Sequence, residues 1–349
     1  MDRLGIIFGG KSGEHEVSLL SAKSVIDAFR GSDHQLVLIG ITKKGQWKLY
    51  EGDTDHIADG SWEKMASAFP VHELSEMIDF AFPVLHGTYG EDGTIQGLFE
   101  MLDIPYAGCG VLASASCMDK VTAKMIFERE GLPSCKYTLV CREELEEDME
   151  GTLDRVEKEI PYPMFVKPSN MGSSVGISKA RDREQLRNGL LEAAEFDRRL
   201  IIEEGLNCRE IETGVVGNYY AEAAAVGEII QKQDFYDYEA KYTDDAGTEL
   251  SIPAVLPEKT YEKIRELAVK AYKVMDCSGF SRVDFFIEKE TDKIYLNEIN
   301  TIPGFTKYSM FPSLWKEAGT DFRELVERIV SLGYERYNAK NHRKTDISR

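Results

Sequence analysis

Residues 281–300 read SRVDFFIEKETDKIYLNEIN. Two runs rich in aromatic and β-branched residues flank a polar ETDK, which predicts two antiparallel strands joined near Thr291. Pairing about that turn sets Asp284 opposite Glu298 and Arg282 opposite Asn300. Glu298 and Asn300 share a face because strand side chains alternate with period two. Three oxygen ligands, Asp284, Glu298 and Asn300, then converge beside an arginine. That donor set suits Mg²⁺ and nucleotide phosphates rather than thiolate-bound metals. The bland alternative is an ordinary charged strand face. The next segment, TIPGFTKYSMFP (301–312), turns at Pro303 and Gly304 just beyond this face. Such a turn can aim the Gly304 N–H at an oxyanion, with Ser309 available to a carboxylate.

Upstream, MFVKPSNMGSSVGISK (164–179) places Lys167 at the end of an apolar strand, with Gly172 and Gly176 framing Ser173, Ser174 and Val175. Backbone N–H groups, hydroxyls and a lysine in that order make a phosphate clamp. A second glycine motif misleads. Gly5 through Ser12 literally satisfies G-x-x-x-x-G-K-S, yet its intervening residues IIFG are needed for a strand. Gly9 and Gly10 read instead as a tight exit from strand to helix.

Outward from these motifs the chain divides into three regions. Residues 1–115 read as an open α/β layer: strand LGIIFGG, a helix with Leu19, Ala22, Ile26 and Phe29 on one face, and strands in HQLVLIGITKKGQW and MIDFAFPVLHG. Glu16 and His86 fall in loops beyond the strand ends, where such sheets collect ligands. Residues 116–210 alternate short helices and strands around an acidic run, EELEEDMEGTLDRVEKE, best read as a solvated helix face. Residues 211–349 hold a mobile segment around FYDYEAKYTDDAGTE, a helix over EKTYEKIRELAVKAYKVM, the hairpin, and a tail, YERYNAKNHRKTDISR, expected to fray.

Composition sets the outer limits. With 349 residues, 42% hydrophobic and 30% charged, the chain is long enough for two or three packed domains. A formal charge of −19 disfavours a broad nucleic-acid surface without excluding small anionic ligands. Six cysteines form no CxxC pair, so a reducing cytoplasm is the expected location. The N-terminus lacks a signal-peptide pattern, and no stretch is long enough to span a bilayer.

Taken in order, GEHEVSLLS, FPVLHGTYGEDGTIQG, CMDK, VKPSNMGSSVG, FYDYEAKY, GFSRVDFF and LNEINTIPGFTKYS resemble the D-alanine–D-alanine ligase family of ATP-grasp enzymes over essentially the whole chain. The resemblance implies an α/β fold of three domains: an N-terminal open α/β domain (1–115), a central ATP-grasp domain (116–210) and a C-terminal catalytic domain (211–349), with the nucleotide between the last two. It also implies a reaction. One D-alanine carboxylate takes the γ-phosphoryl group of ATP, the amine of a second D-alanine attacks the acyl phosphate, and phosphate leaves. The resemblance further implies ATP as a cosubstrate, two Mg²⁺ (or Mn²⁺) as cofactors, a role in peptidoglycan precursor synthesis, and a homodimer as one assembly open to the chain.

Residue by residue, Lys120, Lys167, Ser174 and Lys241 resemble the triphosphate contacts, Glu203 and Leu206 the adenine side, and Glu210 the ribose acid. Asp284, Glu298 and Asn300 match the magnesium ligands. Glu16 resembles the acid for the first D-alanine ammonium, linked to Ser173 and Tyr242, and His86 a nearby polar contact. Arg282 and the Gly304 N–H resemble the groups stabilising the transferring carboxylate. Ser309 and Met310 border the second substrate. Glu204 stands where the family often has a lysine near adenine, so that contact falls to the backbone; Tyr308 and Met310 depart from common family residues beside the second-substrate pocket, which leaves D-serine open as an acceptor, while Tyr242 favours an amine over D-lactate. A nucleotide-binding regulatory protein without ligase activity is the reading from a different class, and it leaves the amino-acid residues unexplained.

Overall fold

A computed structural model describes residues 2–172, 175–231 and 248–342. Three sheets organise them. The first contains β1 (Arg3–Gly9), β2 (Gln35–Ile41), β3 (Trp47–Tyr50), β4 (Ser67–Ala68) and β5 (Phe80–Val84), in the order β4-β3-β2-β1-β5. Strand β1 pairs in parallel with both β2 and β5, and all five residues of β5 are buried, as a continuously apolar parallel strand requires. The His15–Ala28 helix buries Leu19, Ala22, Val25 and Ile26 against this sheet. Gly9 makes the sharp exit possible. Its φ is +85°, and a Cβ there would stand 2.3 Å from the Ile41 carbonyl oxygen.

The second sheet is fully antiparallel: β6 (Tyr137–Cys141), β7 (Met164–Pro168), β8 (Ser178–Ala180) and β9 (Arg199–Glu204), in the order β6-β9-β7-β8. Its core, built from residues such as Val140, Leu153, Val166, Leu186 and Ile202, is separate from the others. The acidic run beside it forms two helices, Arg142–Glu147 and Met149–Glu159, split at Asp148, whose carboxylate caps the second through Gly151 N–H at 2.9 Å. Leu145, Leu153 and Val156 anchor them and leave most of the acids exposed, with Glu144 and Glu157 partly buried in ion pairs to Arg155 and Arg183.

The third sheet contains β10 (Cys208–Val216), β11 (Glu222–Gln231), β12 (Thr248–Ser251), β13 (Phe280–Glu288) and β14 (Ile294–Asn300), in the order β12-β11-β10-β13-β14. The Glu258–Val274 helix covers one face, as expected from its pattern. Two features depart from the sequence reading. Residues 111–129, largely assigned to the central region, pack Ala113, Cys117, Ala123 and Phe127 into the core of the third sheet. The tail is no frayed terminus over its first half: the Phe322–Asn341 helix runs through it, with the Arg336 guanidinium 3.9 Å from the Tyr106 ring centroid. Residues 235–247 of the segment expected to be mobile lie outside the described residues, and Thr248 opens β12.

The first and third sheets share one core. Phe8, Phe82 and Leu325 join Phe280, Phe305, Phe311 and Trp315 in it, with Phe82 and Phe305 ring centroids 6.1 Å apart. The turn at Pro303–Gly304 is thereby fixed between the loops of the first sheet and the face of β13 and β14.

Candidate active site

The register of β13 and β14 sets Arg282 opposite Asn300 and Asp284 opposite Glu298, as the sequence predicts. A bulge makes this possible. Beyond Asp284 the pairing shifts so that Phe285 faces Leu296, which leaves Asn297 as the extra residue. Leu296 and Ile299 therefore both reach the core although three positions apart, and Glu298 and Asn300 turn to the opposite face.

That face lines a cavity of about 1180 Å³, larger than the roughly 300–1,000 Å³ typical of one small ligand. Arg282 holds Asp284 in a fork, Nε to Oδ1 and Nη2 to Oδ2 at 2.7 Å each, and its Nε lies 2.9 Å from Glu212 Oε2. Burial disfavours the guanidinium charge, but Asp284 and Glu212 more than offset it and raise the Arg282 pKa. Asn300 Nδ2 donates to Asp284 Oδ2 at 2.8 Å, leaving the amide carbonyl as its acceptor. Two carboxylates and one amide form an all-oxygen set that fits a hard divalent cation. Among the described residues no group of three or more His, Cys, Asp or Glu side chains gathers into a metal site.

Opposite stand the lysines. Asp119 caps the Lys120–Arg129 helix by accepting from Thr122 N–H at 2.7 Å, which starts the helix at Lys120. Lys120 Nζ donates to the Met171 carbonyl at 2.8 Å and pairs with Glu298 at 3.2 Å, joining the glycine-rich segment to the β14 carboxylate. Lys167 on β7 lines the cavity and pairs with Glu203 Oε2 at 2.5 Å. Glu210 also lines it, as the ribose reading requires, whereas Leu206 does not. Glu203 needs a correction. Its carboxylate is buried and outside the cavity lining, with Lys124 Nζ 2.8 Å from Oε1 and Lys167 on Oε2, so in this structure the side chain faces two ammonium groups rather than the cavity. Burial opposes its ionisation, yet the two ammonium groups win and hold its pKa well below the usual carboxylate range. The sequence reading missed Lys124. Its signal is a lysine between Val121 and Phe127 on the buried stripe of a helix, a position that demands a buried counter-charge.

The amino-acid end brings two further corrections. Glu16 is exposed, ion-paired to Lys43, and absent from the cavity wall. Glu14, two residues earlier, lines the cavity with Glu91. A Cβ on Gly172 would stand 2.8 Å from Glu14 Oε2 and one on Gly87 2.5 Å away, so glycines on two loops make room for this carboxylate. Glu91 accepts from Gly87 N–H at 2.9 Å and Ile302 N–H at 3.3 Å. Burial and the neighbouring Glu14 charge push its pKa up to about 8. His86, expected to touch substrate, is committed to the protein at both ring nitrogens. Nδ1 lies 2.8 Å from the Ile302 carbonyl, which can only accept, so Nδ1 carries the proton and Nε2 accepts from Ser21 Oγ at 2.9 Å. Burial lowers its pKa and favours this neutral form, and the imidazole ties the first sheet to the Pro303–Gly304 turn.

Gly304, Ser309 and Met310 line the same cavity. Ser309 Oγ accepts from Thr306 N–H at 3.1 Å at the start of the Met310–Glu317 helix. The Met310 side chain packs into the core, leaving its backbone N–H as the group for a ligand. Ser173, Ser174, Lys241 and Tyr242 lie outside the described residues. Lys11 of the literal phosphate-loop match lines a different, smaller cavity of about 410 Å³ with Lys44 and Trp47.

Residues 3–109 match the model of the D-ala D-ala ligase N-terminus, and residues 126–331 match that of the C-terminus. The chain belongs to the D-alanine–D-alanine ligase family. Relatives of that family include D-alanine–D-alanine ligases of Acetivibrio thermocellus, 49% identical with 96% of each chain covered, and Staphylococcus epidermidis, 44% identical with 99% of each covered. Among solved structures, a D-Ala:D-Ser ligase, VanG, of Enterococcus faecalis is 34% identical with a TM-score of 0.86, covering 95% of this chain and 99% of that one. The D-alanine-D-alanine ligase of Coxiella burnetii is 29% identical, also at 0.86, covering 97% and 95%. The three sheets are those of a mixed α/β ATP-grasp ligase. Among the described residues no helix is long and apolar enough to cross a membrane.

Proposed function

We propose that this chain joins two D-alanine molecules at the expense of ATP, through a D-alanyl phosphate, to make a peptidoglycan precursor. The observation that carries this reading is one cavity lined by a carboxylate pair, two lysines, a buried arginine and an all-oxygen donor set. A nucleotide site alone accounts for the lysines and donors but not for Glu14, Glu91 and Ser309 on the far side.

Glu14 is positioned to receive the ammonium of the first D-alanine, with Glu91 neutral behind it so that one net negative charge faces one positive charge. Arg282 presents its guanidinium beside the reacting carboxylate, where charge develops during phosphoryl transfer and again as the amine attacks. The Gly304 N–H supports the same oxygens. Ser309 and the Met310 N–H, at a helix start, hold the carboxylate of the second D-alanine. Lys120 and Lys167 neutralise phosphate oxygens, and Glu210 accepts from ribose hydroxyls. Asp284, Glu298 and Asn300 would hold magnesium, which supplies charge neutralisation and a template for the phosphoryl oxygens. The chemistry requires that water be excluded while the acyl phosphate exists, or hydrolysis would compete with ligation. Three domains carry this chemistry, with residues 111–129 grouped with the C-terminal body rather than the central clamp. A cytoplasmic homodimer is the expected form.

The likeness to the D-Ala:D-Ser ligase favours D-serine as the second reading for the acceptor. The test incubates purified protein with ATP, Mg²⁺ and equal D-alanine and D-serine, and identifies dipeptides alongside ADP and phosphate. D-alanyl-D-alanine is the expected product. D-alanyl-D-serine in excess rejects the acceptor and keeps the mechanism, and ADP without any dipeptide rejects ligation.

A further inference from the structure

The Lys120–Arg129 helix carries two lysines one turn apart, and they hold carboxylates from different sheets: Lys120 pairs with Glu298 of β14, and Lys124 with Glu203 of β9. Their surroundings differ. Lys120 lines the large cavity, whereas Lys124 is 1% exposed and lies behind its wall, donating also to Cys135 Sγ at 3.3 Å. Glu203 is as deeply buried, at 3% exposure, and it has two lysines where one would balance its charge. The second, Lys167, stands at the cavity wall. On β7 it lies on the Glu203 face of the sheet, because Phe165 is directly opposite Glu203 and Lys167 is two residues further along. One carboxylate thus joins a lysine with no route to any ligand and a lysine that borders the site.

A buried carboxylate stripped of its only counter-ion is strongly destabilised, so a lone Glu203–Lys167 pair would resist separation. We propose that Lys124 is a positioning residue that remains the standing counter-ion of Glu203, so that Lys167 can exchange from Glu203 to the nucleotide phosphates without leaving that carboxylate uncompensated. The proposal rests on the phosphate role given above to Lys167. It makes the Lys167–Glu203 contact the resting half of an exchange whose other half is bound ATP. Lys124 touches neither substrate nor reacting atoms.

The expected signature is confined to the nucleotide. Lys124→Met leaves Lys167 as the sole partner of Glu203, and the KM for ATP rises by about tenfold or more while the KM for D-alanine changes less than about twofold. Neutralising the carboxylate as well, in Lys124→Met/Glu203→Gln, frees Lys167 and returns the ATP KM toward the wild-type value. A merely structural lysine gives the opposite ordering, with the double variant no better than the single one, and that result overturns the proposal. So does an unchanged ATP KM in a folded Lys124→Met chain. Where Lys124→Met does not fold, the comparison moves to Glu203→Gln with and without Lys124→Met: with no carboxylate to compensate, Lys124 is dispensable and the two bind ATP alike. An ATP KM about tenfold apart between them refutes the role. Lys167→Met separates the two layers. If it leaves the ATP KM unchanged, the phosphate assignment fails and takes this proposal with it. If it impairs ATP use while Lys124→Met does not, the Lys124 role alone fails.

Discussion

Replacing Glu91 by glutamine should abolish the pH dependence of stability that this residue imposes. In the folded chain its pKa is raised from 4.5 to about 8 by burial and by Glu14. Between those values the folded state holds a proton that the unfolded state has released, so stability falls as pH rises, by about 1.4 kcal/mol per pH unit, and falls no further above the folded pKa. From pH 5.5 to 7.5 the loss from this group alone is about 2.5 kcal/mol. Glutamine keeps an acceptor for Gly87 N–H, but its amide nitrogen cannot accept from Ile302 N–H, which costs about 1 kcal/mol at every pH. Glu91→Gln is therefore the less stable chain in acid and the more stable one at neutral pH. Urea midpoints read by tryptophan fluorescence report on the relevant unit, because Trp62 and Trp315 both belong to the core shared by the first and third sheets. Groups common to both chains cancel in the difference. A difference that stays flat from pH 5.5 to 7.5 would show that Glu91 is ionised throughout and refute the reasoning.

Three further outcomes follow from the site. Glu14→Gln should lower kcat/KM for D-alanine by about tenfold to a hundredfold, the loss of a charge-assisted contact, while Glu16→Gln stays within about threefold; steady-state rates showing the reverse would restore Glu16 to the site. Asp284→Asn should reduce turnover by on the order of a hundredfold at saturating Mg²⁺, measured as phosphate release, and near-normal turnover would exclude β13 from metal binding. Gly9→Ala must place a Cβ against the Ile41 carbonyl at positive φ, so its urea midpoint should report a loss of more than about 2 kcal/mol, and a wild-type midpoint would contradict the tight exit.

Much of this site was legible because it depends on local alternation. The opposition of Asp284 to Glu298 and of Arg282 to Asn300 follows from two strands and a turn. Even the bulge left a trace, since the apolar residues of β14 fall at 294, 296 and 299, a spacing that strict period two forbids. What was not legible depends on how elements face one another. Glu14 and Glu16 are two residues apart at the start of one helix, and only the packing of that helix on the sheet directs the first into the cavity and the second to Lys43. His86 looks like a ligand contact until the Ile302 carbonyl arrives from 216 residues away. Glu203 looks like an adenine contact until Lys124 is placed beneath it. Tail composition suggested fraying, but docking beside Tyr106 and Phe80 outweighs it.

The Asn297 bulge has a consequence for how this hairpin can change over evolutionary time. Length changes at the Glu288–Lys293 turn are separated from the site by three paired positions, Ile287 to Phe285, so the turn can drift while the donor face keeps its phase. Loss of one residue at Asn297 is a different event. It would remove the bulge and leave the same pairs opposite one another, with Leu296 and Ile299 still in the core and Glu298 and Asn300 still on the cavity face, so that only the local bend and added twist of the strand are lost. Within one hairpin there are therefore two places, the tip and the bulge, where a residue can be lost while the donor set keeps its face.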